Sequence, residues 1–310
     1  MNVWLDVGFT VLYVLVVLAL SAHLAGNLVT GRLKNRIVNR QWPVHDAPPV
    51  PILHKFLHFQ HVFSMFALGF TGLYIRFPFF DGGRSAMRAI HYVFMIIVTV
   101  NFAWRLWCAF FSKRRDYREF AITKQDVCTA PACALYYTFV KSSKPHLCKY
   151  NVMQKATYML FIPLMLAQAF TGFALVVSPF IFGYSPRDLL LGWWLGAFVG
   201  STDLAGWYAR TLHYAITWIF IILTTVHAYL SFTEDFPAVR DFFGFVSVPR
   251  GERCEMPGAP PVPDRADEPA AAAFAPSRPQ SPQTGPAPEE TRAPVLRSTP
   301  VGRSFPGDAE

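Results

Sequence analysis

Long apolar blocks separated by short polar connections dominate the first 235 residues of the chain. An α-helix needs about 20 apolar residues to cross a hydrocarbon layer about 30 Å thick. Residues 184–200 are apolar but too short to cross, and Trp193 and Trp194 favour a helix that lies in the membrane interface. Five other blocks are long enough, so we predict membrane-spanning helices over about residues 4–28, 55–76, 88–111, 153–178 and 210–232.

The first block has an alternative interpretation as a secretory signal peptide, because small residues follow its apolar run. Its N-terminal flank carries no basic residue and includes Asp6, whereas Arg32, Lys34 and Arg36 follow the block. This charge distribution favours a retained membrane helix with its N-terminus outside.

The last sixty residues differ in composition from the rest of the chain. They are rich in Pro, Ala, Arg and Ser and nearly lack aromatic residues, so they cannot bury enough apolar surface to order themselves. We predict an all-α membrane protein in four parts: an N-terminal transmembrane helix (1–30), a basic cytoplasmic connection (31–54), a four-helix transmembrane core (55–235) and a disordered cytoplasmic tail (251–310).

Composition and charge agree with a membrane protein. Hydrophobic residues make up 53% of the chain and charged residues only 15%, against about 25% charged in globular domains. The basic residues behind the net charge of +8 gather in two connections, residues 29–55 and 112–155, and form no continuous stripe that would bind nucleic acid. The positive-inside rule places both connections in the cytoplasm, which leaves the N-terminus outside and the tail inside.

The five cysteines are too few and too scattered for a disulfide framework. Three of them, Cys128, Cys133 and Cys148, fall on the predicted cytoplasmic side, where thiols stay reduced. They lack a fourth partner at the spacing of a zinc or iron–sulfur site. We therefore predict free thiols.

Two histidines, His213 and His227, lie fourteen residues apart within the last apolar block. Fourteen residues of α-helix return a side chain to within about 40° of its starting direction and advance it by about 21 Å. One helix face thus presents an imidazole near each edge of the hydrocarbon layer, where ionisable groups are costly and usually functional. We interpret the pair as ligands of two cofactors at different depths.

The predicted topology places further histidines at the same two depths. The second helix starts inside, so His58 lies near the cytoplasmic edge, level with His227. The third helix starts outside, so His91 lies near the outer edge, level with His213. Two level pairs result, although the topology was assigned from charge alone.

Such pairs suit haem, because its iron takes neutral imidazoles as axial ligands and facing helices of a bundle can clamp a planar macrocycle. In the alternative interpretation, each histidine bonds a backbone carbonyl or caps a helix near the interface. Four histidines at matched depths favour two bis-histidine haems. Only one of the neighbours His54, His58 and His61 is expected to ligate, because they share a helical face. His23 and His146 are expected at an interface or in a loop.

Several stretches resemble the prokaryotic dihaem b-type cytochrome subunits that anchor formate dehydrogenase-N, nickel–iron hydrogenases and thiosulfate or polysulfide reductases. The resemblance covers about residues 52–232 and rests on HFQHVFSMFALGFTG, MRAIHYVFMIIVTVNFAWRLW, KYNVMQKATY with FTGFAL, and the last histidine pair. In those families the first ligand precedes a Ser/Thr–Gly pair by fourteen residues, which favours His58 because Gly72 follows at that interval. The resemblance implies two b haems, with iron held by His58 and His227 on the cytoplasmic side and by His91 and His213 on the periplasmic side.

The resemblance also implies a quinone site near the cytoplasmic haem. Asn151 and Gln154 match positions of the Tyr-Asn-x-x-Gln-Lys motif beside that site, and both side chains can donate to a quinone carbonyl. Asn151 is an equally good candidate to cap the helix that follows it. The chain is then an electron-transferring, quinone-reactive subunit in the bacterial cytoplasmic membrane. Its expected partners are an iron–sulfur subunit and a catalytic oxidoreductase subunit, which holds the centre for the other substrate.

Two other functions compete with this interpretation. A proton-coupled transporter would need acidic residues at membrane depth, and the apolar blocks offer almost none. A self-contained transmembrane reductase would need its own donor-binding domain, and no region supplies one.

The extra first helix and the long tail depart from the family pattern, so the sequence does not identify which oxidoreductase the chain serves. Four arginines near the outer helix ends either pair with haem propionates or mark the lipid headgroup level, and we favour the second role: Arg76, Arg84, Arg88 and Arg210.

Overall fold

The computed structural model describes residues 3–42, 50–112, 116–143, 150–179 and 182–244. These residues contain helices and no strands, which confirms the predicted all-α fold. The predicted disordered tail, residues 251–310, lies outside the described residues, as do His146 and Cys148.

Nine α-helices are formed by the described residues, joined in places by a 3-10 helix (Asp116–Phe120) and a π-helical segment (Asp188–Gly196). In chain order they are α1 (Val3–Val29), α2 (Arg32–Ile37), α3 (Ile52–Arg76), α4 (Arg84–Phe111), α5 (Lys124–Tyr137), α6 (Val152–Ala174), α7 (Ala197–Val199), α8 (Thr202–Glu234) and α9 (Phe236–Gly244).

The five predicted membrane helices correspond to α1, α3, α4, α6 and α8. Four of these, α1, α4, α6 and α8, are long and apolar enough to cross a membrane by length and composition. Helix α3 has 25 residues, which is sufficient length, but its three histidines and Gln60 make its first half more polar. The crossing by α3 therefore stays a prediction, supported by its extensive packing against α4.

The helix ends differ from the prediction where local capping decides them. Helix α8 begins eight residues before position 210, because the Ser201 hydroxyl accepts a hydrogen bond from the Leu204 amide at 3.1 Å and caps the helix there. The predicted interfacial helix over 184–200 is the π-helical segment followed by α7. Helices α5 and α9 were not predicted, because neither has an apolar run long enough to be recognised.

An apolar layer fills the centre of the bundle. It consists of Val98 on α4, Met165 on α6, and Ile216 and Phe220 on α8, with Met65 and Leu68 of α3 packed against it. Ile216 and Phe220 stand between His213 and His227 along α8. The layer therefore separates the two histidine levels. We call the end of the bundle that carries His58 and His227 the inner end, and the opposite end the outer end.

Polar contacts fix the N-terminal hairpin, α1 with α2, to this bundle at both ends. At the outer end, Asp6 of α1 pairs with Arg76 at the end of α3. At the inner end, the buried guanidinium of Arg36 in α2 forms a bidentate ion pair with the Glu234 carboxylate at the end of α8. The two N···O distances are 2.8 and 2.9 Å. The hydroxyl of Tyr136 on α5 also contacts both groups. The hairpin is thus an integral part of the folded unit.

Candidate functional site

The outer histidines meet across the bundle. The rings of His91 on α4 and His213 on α8 have their centres 6.4 Å apart, with an angle of 67° between their planes. Imidazole nitrogens bind first-row metals at about 2.0–2.1 Å, so two rings on opposite sides of one ion have centres roughly 6 Å apart. The observed separation fits a single metal ion between the two rings. The predicted outer pair is therefore brought together as expected.

A threonine orients the ring of His91. The hydroxyl of Thr71 on α3 donates to the Ala67 carbonyl at 2.6 Å, which uses its single proton. The same oxygen lies 2.8 Å from Nδ1 of His91, so it accepts the proton that Nδ1 carries. The Leu68 carbonyl, 3.3 Å from the same hydroxyl, is a second acceptor for the threonine proton. His91 therefore has its proton on Nδ1, and the lone pair of Nε2 is left for a metal.

The ring of His213 is oriented in the same way from α6. The Thr171 hydroxyl donates to the Ala167 carbonyl at 2.7 Å and lies 3.0 Å from Nδ1 of His213. It therefore accepts from Nδ1–H, as Thr71 does for His91.

The other nitrogen of His213 confirms this assignment. The Thr217 hydroxyl donates its only proton to the His213 carbonyl, at 2.8 Å. The Thr217 oxygen therefore accepts a hydrogen bond from the side-chain amide of Gln168, at 2.9 Å. That amide nitrogen is also 3.3 Å from Nε2 of His213, which must then be the acceptor. Nε2 of His213 carries a lone pair and suits a metal ion, once the Gln168 amide is displaced.

A glycine follows each threonine, and each glycine leaves space for a histidine ring that a larger side chain would crowd. A Cβ atom at Gly72 would lie 3.4 Å from Cε1 of His91, and one at Gly172 would lie 3.1 Å from Cε1 of His213. The sequence Phe-Thr-Gly thus occurs on α3 and again on α6, each time against the histidine of the neighbouring helix. The sequence prediction did not assign a role to Thr71 or Thr171, although this recurrence could have revealed them.

We expect Gly172→Ala to lower the content of the haem predicted from the sequence. The new methyl group would crowd the His213 ring at 3.1 Å and push it away from Thr171, whereas at Gly72 the 3.4 Å approach is close to ordinary van der Waals contact. The haem-to-protein ratio after purification measures the effect. Gly69→Ala on α3 is a matched control, since no described atom lies within 4 Å of the added carbon. Equal haem content in the Gly172 and Gly69 variants would contradict the crowding argument.

The inner histidines are arranged less tightly. His58 on α3 and His227 on α8 lie close enough to interact electrostatically. Arg105 on α4 interacts electrostatically with both His58 and His61. Among the described residues, the four predicted ligands form one direct ring contact, that of the outer pair. His54 lies one turn before His58 on α3.

Helix α9 covers the inner end beside His58. The Phe242 ring lies 5.1 Å from the His58 ring, and Phe243 lies 4.8 Å from Phe59. A buried ion pair holds α9 there, because Nζ of Lys55 on α3 is 3.0 Å from Oδ1 of Asp241. The sequence prediction ended the core at residue 235 and missed this cover.

The predicted quinone residues form a helix cap. The Asn151 side chain accepts from the Gln154 amide at 2.9 Å, and the Gln154 side chain accepts from the Asn151 amide at 2.9 Å. This is a capping box, so the capping alternative is realised. The Asn151 amide group still points towards the Tyr137 hydroxyl, 3.5 Å away. Burial, together with the charge of Glu234, raises the pKa of Tyr137 to about 12, so this hydroxyl keeps its proton.

Helix α5 is tied to the start of α6 and thereby positions Asn151. Burial alone would raise the pKa of Asp126 on α5, but hydrogen bonds from Lys155 and Thr123 outweigh it and hold that pKa below its usual value. The Lys155 ammonium lies 2.8 Å from the Asp126 carboxylate. The carboxylate is therefore charged at neutral pH and joins the two helices beside the Asn151 cap.

Other sequence predictions have mixed outcomes. Cys128 and Cys133, which were predicted to be free thiols, form no disulfide among the described residues, and neither does Cys108. Of the two positions expected for His23, the loop is wrong, because His23 lies in the last two turns of α1, with its Nδ1 2.7 Å from the Tyr229 hydroxyl. Arg76 pairs with Asp6, an interaction that neither alternative for the outer arginines included.

Comparison with known protein families decides the identity of the bundle. A family model described as prokaryotic cytochrome b561 matches residues 50–244, which is more than half of the chain. The chain belongs to the prokaryotic cytochrome b561 family. It is a membrane cytochrome of the b type that transfers electrons, and the paired imidazoles fit the haem that this family binds. All four candidate histidines lie within the match, whereas α1 and α2 precede it. No curated protein matches the chain.

Proposed function

We propose that this cytochrome carries electrons across the bacterial cytoplasmic membrane through two b haems. His91 and His213 hold the outer haem, and His58 and His227 hold the inner one. Held by two imidazoles, each haem would have no free position for a substrate and would supply single-electron transfer. The observation that supports the proposal best is the outer pair, whose 6.4 Å separation and protonated Nδ1 atoms suit iron between two Nε2 atoms.

The inner end is the proposed site of quinone chemistry. The Asn151 amide group and the Tyr137 hydroxyl lie side by side there, and both can donate to a quinone carbonyl. Basic connections adjoin this end in the sequence, which supports a cytoplasmic location by the positive-inside rule. Protons for quinone reduction would then come from the cytoplasm.

The outer end is the proposed docking side for the partners. These are an iron–sulfur subunit and a catalytic oxidoreductase subunit of the hydrogenase, formate dehydrogenase or thiosulfate reductase type. The described residues offer no centre for a second substrate, so we assign that reaction to the partner. Purification of the native complex and identification of its largest subunit would test this assignment.

The haem content of the purified full-length protein tests the central proposal. We expect two haems per polypeptide and, on reduction with dithionite, the split α-band of two low-spin b haems in different surroundings. One haem per polypeptide would overturn the two-haem assignment. A preparation without haem would overturn the ligand assignment as a whole.

We expect Asn151→Ser to weaken quinone turnover while both haems stay bound. Serine retains an oxygen that can cap α6, so the variant removes the amide donor with little effect on the helix. Loss of one hydrogen bond to the quinone predicts a KM about five- to tenfold higher. Quinone reduction with a chemical donor measures this, alongside the haem spectrum. Unchanged kinetics in Asn151→Ser, together with a stability loss in Asn151→Ala, would mean that Asn151 only caps the helix.

A further inference from the structure

The two haem sites differ in what surrounds the far side of their histidine ligands. At the outer site, each Nδ1–H has a threonine oxygen as its acceptor, at 2.8 Å for His91 and 3.0 Å for His213. Both outer ligands therefore donate their Nδ1 proton to a threonine oxygen.

The inner site lacks this arrangement around its α3 ligand. Nδ1 of His58 is buried and has no hydrogen-bond partner within the described part of the chain. Its ring is bordered by Phe59 and Phe242, whose aromatic carbons accept no strong hydrogen bond. The guanidinium of Arg105 lies near enough to act electrostatically on His58. The inner ligand therefore has apolar and cationic surroundings.

The different surroundings of the imidazoles would change the reduction potential of the iron that they hold. A ring that donates its Nδ1 proton to an oxygen acceptor gains electron density and becomes a more basic ligand. A more basic ligand stabilises ferric over ferrous iron, so the reduction potential falls. Aromatic surroundings and a nearby cation act in the opposite direction, because both disfavour the extra positive charge of the ferric state.

We propose that Thr71 and Thr171 are positioning residues that lower the reduction potential of the outer haem below that of the inner haem. The inference rests on the proposed function, since it requires a haem at each histidine pair. An outer site of lower potential makes electron movement from the outer to the inner end favourable. The chain is then built to reduce quinone at the inner end with electrons from the outer partner.

The order of the two potentials can be measured without altering a threonine. Potentiometric titration of the purified full-length protein should resolve two components. His227→Ala removes an inner ligand and should leave the component of lower potential. If the component that remains titrates at the higher potential, the proposed order is wrong.

Threonine variants test the cause of the difference. We expect Thr71→Val and Thr171→Val each to increase the ratio of reduced to oxidised outer haem, at a fixed ambient potential, by about two- to fivefold. Thr71→Ser and Thr171→Ser keep the hydroxyl and should titrate as the native protein does. Low-temperature electron paramagnetic resonance of the ferric outer haem should change in the valine variants as well.

Thr99→Val on α4 is the matched control. The Thr99 hydroxyl donates to the Met95 carbonyl at 2.7 Å, as the two threonines donate within their helices, but it orients no histidine. An outer potential that stays fixed in both valine variants with two haems bound would overturn the inference and leave the proposed function intact. Fewer than two haems in the native protein would overturn the proposed function itself. If a valine variant loses its haem, the order of the two reduction potentials measured with His227→Ala still tests whether the outer haem has the lower potential.

Discussion

Replacing His227 with alanine is expected to leave the purified protein with one haem instead of two and to abolish quinone reduction. The substitution removes an axial ligand at the inner end, while the outer pair keeps both imidazoles and both threonine contacts. The outer haem should therefore still accept electrons from the partner. The haem-to-protein ratio and the dithionite-reduced spectrum give the first result, and quinone turnover of the native complex gives the second.

His54→Ala and His61→Ala are the matched controls, because they remove an imidazole from the same helix, α3, within one turn of His58. Both variants should keep two haems. Loss of a haem in either one would mean that it, and not His58, is the α3 ligand. A haem ratio of two in His227→Ala would remove His227 from the site.

Glu234→Gln is expected to destabilise the folded protein by about 3–5 kcal/mol, the cost of leaving one member of a buried ion pair without its partner. The side chains of Arg36 and Glu234 are only 6% and 5% exposed, and a neutral amide does not compensate the guanidinium charge. The midpoint of thermal unfolding in detergent should fall accordingly. We expect the double variant Arg36→Met with Glu234→Leu to be less destabilised than Glu234→Gln, because it leaves no buried charge.

Asp203→Asn provides the comparison, since it breaks an ion pair of similar length at the surface. Arg187 and Asp203 are 3.2 Å apart, but the Asp203 side chain is 96% exposed. Exposed pairs contribute about 0–1 kcal/mol, so this variant should unfold close to the native midpoint. Equal midpoints for Glu234→Gln and Asp203→Asn would show that the Arg36–Glu234 pair does not hold the hairpin in place.

This pair matters because it joins the hairpin to the family's bundle. Helices α1 and α2 precede the residues that match the cytochrome b561 family, yet they contact α3, α5 and α8 through Asp6, Arg36 and Tyr136. The extension therefore contributes to the structure of both bundle ends. We expect its removal to expose buried charges that the bundle alone does not pair.

The long helices could be predicted from the sequence because burial in a membrane selects apolar side chains over a continuous length of chain. The depths of the histidines were predicted from helix geometry and from the distribution of basic residues, and the structure brings the rings of His91 and His213 together across the bundle. Helix ends were less accurate, because a single capping side chain such as Ser201 can extend a helix by two turns.

By itself, the sequence determined the all-α class and the positions of the long apolar helices, and it predicted which imidazoles share a level. These depend on periodicity and hydropathy, which act along the chain. Only the tertiary structure decided which nitrogen of His91 and His213 lies beside a threonine, that Asn151 caps α6, and that Arg36 meets Glu234 across nearly 200 residues. Such contacts depend on the distance and direction between side chains of different helices, and packing of the helices fixes both.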